Sequence, residues 1–300
     1  MSPYEKNDVI NSARNSERLI SILMSLVPED KKKIAESILF DGHYNGYDVS
    51  SNLDVRNNPT IEFQRRISML YLLITNPKTF DYFVKNKINV FHGTNGNALA
   101  SITKNGVLSK KTAIEKNIDV NTGEAVILDM VEPRDFISFT DVLDIAENYS
   151  GLTPKGGEND MSFEVIVGTS EENINQVRTK KIHSAVSEIG VVDKFPLDKI
   201  KVICVPSSKI EFVKKIIGNN SIDVLPIDGL QDKIYYMDST DNYLFINEKD
   251  INRLLEKKEE RVFTNDEVKK TVGKVSLRRI IEKLSELVTR KEQEYNVRSI

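Results

Sequence analysis

Three short stretches place polar residues where a strand is expected to begin or end. The first is Ile88-Asn-Val-Phe-His-Gly-Thr, which carries His92, Gly93 and Thr94. The second is Phe136-Ile-Ser-Phe-Thr, with Ser138 in it and Asn148-Tyr149 one helix later. The third is Ser187-Glu188, directly before Ile189-Gly-Val-Val. A histidine beside a glycine at the end of a core strand presents a ring and bare backbone to a ligand together. A glutamate at the mouth of a strand adds a carboxylate. Taken singly, His92 also suits a structural histidine and Glu188 a surface carboxylate.

The elements around these residues follow from periodicity. Ile88, Val90 and Phe91 suit a buried strand that delivers the tripeptide to an Asn/Gly turn. Leu99 and Ile102 share one face of a short helix, and Gly106 stands where a left-handed residue ends it. Strands are expected at residues 136–140, 163–167, 189–192, 201–205 and 222–225, with helices at 142–149 and 209–217. Asp141 is expected to cap the first of these helices and Asp193 to sit in a turn. Gly151 to Asp160 and Thr179 to Ser187 are expected as loops, the second holding His183. Many short strands with few helices between them predict an α+β domain with mixed or antiparallel sheets.

The flanks differ from this centre. Residues 1–86 are expected as an N-terminal helical region with helices near 8–26, 29–39, 61–74 and 77–85, and an Asn/Gly/Ser-rich loop holding His43 from 41 to 60. Residues 87–226 form the expected central domain. Residues 227–300 are expected as a hairpin, Lys233 to Met237 with Tyr243 to Ile246, then a helix at 249–258 and a long one at 265–295. Leu277, Ile281, Leu284 and Val288 make an apolar stripe on that last helix. It suits docking on the protein's own core or, alternatively, a partner surface.

Bulk composition narrows the classes. The net charge of −3 argues against an obligate nucleic-acid binder, which ordinarily carries a basic stripe. One cysteine, Cys204, excludes an intramolecular disulfide, and three histidines with one cysteine give little material for a zinc site, so no metal is expected. The sequence has no cationic-then-apolar leader and no apolar run of spanning length, which predicts a soluble chain. Such a chain fits the bacterial cytoplasm, or a protein injected into a host cell without a signal peptide.

In combination and in this order, the three stretches resemble the ADP-ribosyltransferase fold, in particular its diphtheria-toxin and poly(ADP-ribose) polymerase branch. That branch opens on His-Gly-Ser/Thr and a short helix ending in glycine plus an apolar residue, as Ala98 to Val107 does. Its second motif is matched in length and pattern by Phe136-Ile-Ser-Phe-Thr-Asp and Ala146-Glu-Asn-Tyr149. Its third, a glutamate leading into two linked strands, is matched by Ser187-Glu-Ile-Gly-Val-Val-Asp and Leu197 to Val205. The resemblance covers residues 88 to 206. The branch has tyrosine where this chain has Ser138, and serine there is similar to the arginine-directed toxins. The paired acid of those toxins is replaced by Val186.

The resemblance implies a split β-sandwich that uses NAD as co-substrate and breaks its nicotinamide–ribose bond. It implies that Glu188 stabilises the ribosyl cation, with Ser138 supporting Glu188 or the ribose. It further implies that the Gly93 backbone holds the carboxamide, its missing side chain letting the ligand approach. His92 and Thr94 would meet the adenosine side, and Tyr149 would stack on nicotinamide. The function implied is a mono-ADP-ribosyltransferase acting on a target protein, as a bacterial effector or toxin. Transfer to nucleic acid, a small molecule or water, and an inactive interaction module, stay open as alternatives.

Overall fold

The computed structural model describes residues 16, 18–51, 59–118, 134–151, 161–182, 187–218, 221–229, 235–237 and 244–246. The chain forms two units, one of residues 1–41 with 232–300 and one of residues 42–231.

In the first unit, helix α1 (18–26) buries Leu19, Ile20, Leu23 and Leu26, which the helical period places on one face. Pro28 precedes a 3₁₀ turn, Glu29–Lys31, with its acids at the positive end of the backbone dipoles. Helix α2 (Lys32–Glu36) continues into a π turn, Ser37–Asp41, burying Ala35, Ile38 and Leu39. The expected hairpin is present as antiparallel strands later in the chain, Tyr235–Met237 and Leu244–Ile246. The expected helices at 249–258 and 265–295, with the apolar stripe, lie outside the described residues.

The second unit carries the candidate site. It begins with a small antiparallel pair, β1 (His43–Tyr44) and β2 (Tyr47–Asp48), within the stretch expected to be a loop, and His43 is exposed there. Helix α3 (Pro59–Thr75) buries every residue from Ile67 to Leu73, so it is a central helix and not a surface one. Helix α4 (Pro77–Asn86) starts on Pro77 and ends at Lys87, whose φ of 54° is left-handed. Both helices belong to the same unit as the sheets, whereas the sequence places the helical boundary at residue 86. The cause is visible in the packing: Phe83 meets the Phe91 ring at 5.5 Å, and the Thr79 hydroxyl donates to the Pro226 carbonyl at 2.7 Å.

The remaining elements alternate as the sequence pattern requires. They are β3 (Val90–Asn95), α5 (Leu99–Asn105), β4 (Val107–Leu108), α6 (Lys110–Glu115), β5 (Phe136–Phe139) and α7 (Leu143–Gly151). There follow β6 (Glu164–Thr169), α8 (Glu171–Asn175), β7 (Thr179–Lys181), β8 (Ile189–Val192) and β9 (Lys194–Phe195). Then come β10 (Val202–Val205), α9 (Ile210–Ile217) and β11 (Asp223–Pro226). One sheet runs β11-β10-β6-β3, with β10 parallel to β11 and the other neighbours antiparallel. A second runs β5-β8-β7, all antiparallel. β4 and β9 form a separate pair. The fold is therefore α+β with mixed sheets. Strand β7 occupies the start of a stretch expected to be loop.

Alternation explains the core. Ile137, Phe139, Ile189 and Val191 point to one face of the second sheet, and Val90, Val165, Val167, Ile203 and Val205 come from the first. Together with Leu99, Ile102, Phe195, Val213 and Ile217 they form one buried apolar cluster. Phe139 is 1% exposed and packs on Phe195 at 4.9 Å between ring centres, a position whose truncation to alanine costs about 3–5 kcal/mol. The sheets also touch through backbone. Phe91 N–H donates to Thr140 C=O at 2.7 Å, and Thr140 N–H returns the bond to Phe91 C=O at 2.8 Å.

Candidate active site

The Phe91–Thr140 bridge brings the three polar stretches together, because it ties β3 to the end of β5. The tripeptide lies on the strand and ahead of the Asn/Gly turn, as the sequence pattern predicts. It lies inside β3, since β6 supplies a partner for every residue from Val90 opposite Thr169 to Asn95 opposite Glu164. The turn begins only at Gly96, where the Asn95 side chain accepts the Asn97 N–H at 3.0 Å.

In an antiparallel ladder the N–H and C=O of alternate residues point to the same side. Phe91 spends its pair on Thr140, so those of Gly93, two residues on, point the same way, past the bridge and along the gap between β3 and β5. The expected reason for a glycine here is overturned. A Cβ on Gly93 would stand 1.8 Å from the Ala146 carbonyl oxygen and 3.0 Å from the Ser150 nitrogen. That space is filled by α7, so the missing side chain lets a helix approach the strand, not a ligand.

His92 is half-buried and lies tilted against Phe139 at 5.4 Å between ring centres. Its Nδ1 is 2.8 Å from the Ser138 carbonyl oxygen, which can only accept, so Nδ1 carries the proton and Nε2 is an acceptor in the neutral ring. Burial pulls the His92 pKa below the ordinary imidazole value, with the bond to Ser138 opposing it. Thr94 stands two residues further along β3, half-buried opposite Val165.

Ser138 pairs with Gly190 across the β5–β8 ladder, and Glu188 lies two residues before Gly190, so both side chains leave the same face. The Ser138 hydroxyl donates to Oε1 of Glu188 at 2.5 Å. The same oxygen is 3.8 Å from Nη1 of Arg134. Arg134 lies over the Phe136 ring at 5.6 Å, and Lys180, ion-paired with Asp135, lies over the same ring at 4.4 Å. The Glu188 side chain is 13% exposed, and that of Arg134 is 49%. Tyr149, in the last turn of α7, is 53% exposed. Burial raises the pKa of its phenol, the Glu188 charge adds to this, and Arg134 opposes it. His92, Gly93, Ser138, Tyr149 and Glu188 thus surround one region. His183, expected in the Thr179 to Ser187 loop, lies outside the described residues. Cys204 is fully buried in β10, where burial raises its thiol pKa and keeps it from acting as a nucleophile. Among the described residues no cluster of metal-ligating side chains occurs, and no helix is long and apolar enough to cross a membrane.

No protein-family model matches the chain, and no curated protein matches it. Among solved structures, that of Thermosipho africanus DarTG in complex with ADP-ribose is similar over 47% of this chain at 14% identity, with a TM-score of 0.35. The overlap covers 50% of that chain's length. A likeness at this level identifies neither family nor chemistry.

Several residues of the site have no place in the sequence pattern that announced the others. Asp141 does not cap α7. It turns inward to a 2.9 Å ion pair with Arg65, while the Thr140 hydroxyl accepts the Val142 N–H at 3.1 Å in the turn before the helix. Arg65 was detectable in principle, as a charged residue among Ile61, Ser68 and Leu72 on one stripe of an apolar helix. Arg134 has no such signal. Asp193 is in a turn as expected, with a left-handed φ of 60°.

Proposed function

We propose that this protein is an NAD-dependent mono-ADP-ribosyltransferase that modifies a target protein, with a fold of the ADP-ribosyltransferase split-sandwich type. The observation that carries this reading is the Ser138–Glu188 hydrogen bond beside His92, because it joins the three sequence motifs into one polar constellation. Cleavage of a glycosidic bond passes through an oxocarbenium-like state, and a carboxylate on the sugar hydroxyl stabilises it as charge develops. The Ser138 hydroxyl and the Arg134 guanidinium both approach Oε1 of Glu188, which leaves Oε2 to accept from a ribose hydroxyl.

The chain's own groups suit the other parts of NAD. The outward N–H and C=O of Gly93 match the acceptor and donor of a carboxamide. The exposed Tyr149 ring offers a flat face for nicotinamide. Nε2 of His92 accepts from an adenosine ribose hydroxyl, and Thr94 stands beside it. As the bond from ribose C1′ to the ring nitrogen breaks, nicotinamide leaves with the electron pair. The acceptor nucleophile then bonds to C1′ and gives up its proton to Glu188. A soluble bacterial effector or toxin, acting inside the bacterium or in a host cell, is the setting that suits this activity.

Incubation of the full chain with NAD and a cell lysate tests the reading. Wild type is expected to release nicotinamide and to leave ADP-ribose on a protein detectable by mass spectrometry. Glu188→Gln, losing about 2.7–4 kcal/mol of transition-state stabilisation, should reduce turnover about a hundredfold or more. Nicotinamide release without labelled protein would mark a hydrolase. No NAD consumption by wild type would end the enzyme reading.

A further inference from the structure

We propose that the buried Arg65–Asp141 ion pair is a positioning device for Glu188, acting through the hydroxyl of Ser187. The inference rests on the role given to Glu188 above.

The pair grips two backbone segments that carry the site. Asp141 follows Thr140, which bridges β3, and lies three residues after Ser138. Oδ2 of Asp141 is 2.9 Å from Nη2 of Arg65 and accepts the Ser51 hydroxyl at 2.8 Å and the Ser51 N–H at 3.3 Å. Oδ1 accepts the hydroxyl of Ser187 at 2.5 Å, and Ser187 Oγ in turn accepts from Arg65 Nη2 at 3.4 Å. Arg65 is held from its other end by Nη1 to Glu62 at 3.2 Å, and Glu62 is fixed by Arg66 at 2.6 Å and by the Ser50 hydroxyl. The side chains of Arg65 and Asp141 are 5% and 0% exposed, and Ser187 is 1% exposed. Burial works against the Arg65 charge, yet Asp141 and Glu62 outweigh it and hold its pKa above the ordinary value.

A buried ion pair contributes little to stability compared with apolar side chains of the same volume. What this one supplies is fixed geometry. Ser187 is bonded to both charges, and Glu188 is the next residue. The backbone that leaves Ser187 therefore starts from a defined point before the carboxylate meets Ser138. Glu188 is held from two sides, by Ser138 at its side chain and by Ser187 at its backbone. A catalytic group displaced by about 1 Å loses on the order of a hundredfold in rate.

Asp141→Asn risks the fold, so the test uses Ser187→Ala, which leaves both charges in place. In the full chain, nicotinamide release from NAD should show kcat reduced about tenfold with KM changed by less than about twofold. The melting temperature should stay within about 3 °C of wild type. Hydrogen exchange at residues 188 and 189 should quicken by about fivefold, while β10 exchanges as before. Unchanged kcat and unchanged local exchange would overturn the proposal. So would a loss of activity that tracks a fall in melting temperature and faster exchange throughout, which is a merely structural role. If wild type and Glu188→Gln alike release no nicotinamide, the NAD reading fails on its own. The exchange at 188 and 189 then decides the anchoring, which local quickening supports and its absence overturns.

Discussion

Ser138 and Glu188 are 50 residues apart in sequence, yet the Ser138 hydroxyl donates to Oε1 of Glu188 at 2.5 Å. The contact follows from register. Phe139 opposite Ile189 and Ser138 opposite Gly190 put the serine and the glutamate diagonally across one face of the β5–β8 ladder. The opposite face of the same strands supplies Ile137, Phe139, Ile189 and Val191 to the core. A shift of register by one residue would bury the site and expose the core, so the hydrophobic pattern that fixes the sheet also fixes the pair.

Ser138→Ala removes the donor and leaves Glu188 free to swing toward Arg134, 3.8 Å away. Turnover of NAD should fall about tenfold, equivalent to about 1.4 kcal/mol, a smaller loss than for Glu188→Gln because the carboxylate itself remains. Stability should stay within about 0.5 kcal/mol, since Ser138 faces away from the core. Parallel measurement of nicotinamide release and urea unfolding checks both.

Gly93→Ala should act on the fold before it acts on any ligand. The added methyl would meet the Ala146 carbonyl at 1.8 Å, and both partners are backbone, so α7 must move off β3. Overpacking of this kind costs about 3 kcal/mol or more, a fall in melting temperature of about 10 °C in a unit of this size. Thermal unfolding without NAD is the decisive measurement. A variant as stable as wild type would mean that α7 does not occupy this space in solution.

Much of this arrangement was legible in the sequence. The strands at 136–139, 189–192 and 202–205 follow from alternation, and the helices at 143–151 and 210–217 from the helical period. Glu188 stands directly before β8, as the alternation of Ile189 to Val192 predicts, whereas Ser138 lies within β5 opposite Gly190. What stayed hidden depends on tertiary partners. β7, β4 and β9 are too short for periodicity to show. The reason for Gly93 lies in α7, which approaches from 53 residues downstream at Ala146. Asp141 had the local sequence of a helix cap, and only the burial of Arg65 on α3 turns it inward. Gly106 was expected to be left-handed. Its φ of 74° is positive, but ψ of −171° puts it in a region open to glycine alone.

His92 makes stability depend on pH. Its folded pKa is lowered by burial, so as pH falls through about 6.5 the unfolded chain takes up a proton first. Protons then favour the unfolded state, and stability falls from about pH 6.5 down to the depressed folded pKa. Above about pH 6.5 this contribution is fully present. Urea midpoints for wild type should therefore drop between about pH 7 and pH 5 more than those of His92→Gln, which cannot titrate there. Equal slopes in the two proteins would show that the ring is not buried neutral.

Tyr149 separates binding from folding. It is 53% exposed at the end of α7, so its removal opens no cavity in the core, and Tyr149→Ala should change stability by no more than about 0.5 kcal/mol. A ring that stacks on nicotinamide acts in the bound ground state and the transition state alike. Its loss therefore raises KM for NAD with little change in kcat. Stacking of one flat ring is worth about 0.5–1.5 kcal/mol, so KM should rise about three- to tenfold. Tyr149→Phe keeps the ring and removes only the hydroxyl, whose pKa is raised by burial and by the Glu188 charge. It should retain wild-type KM if the ring face is what binds. A KM raised equally by phenylalanine and alanine would instead assign the contact to the hydroxyl, and an unchanged KM in both would place nicotinamide away from Tyr149.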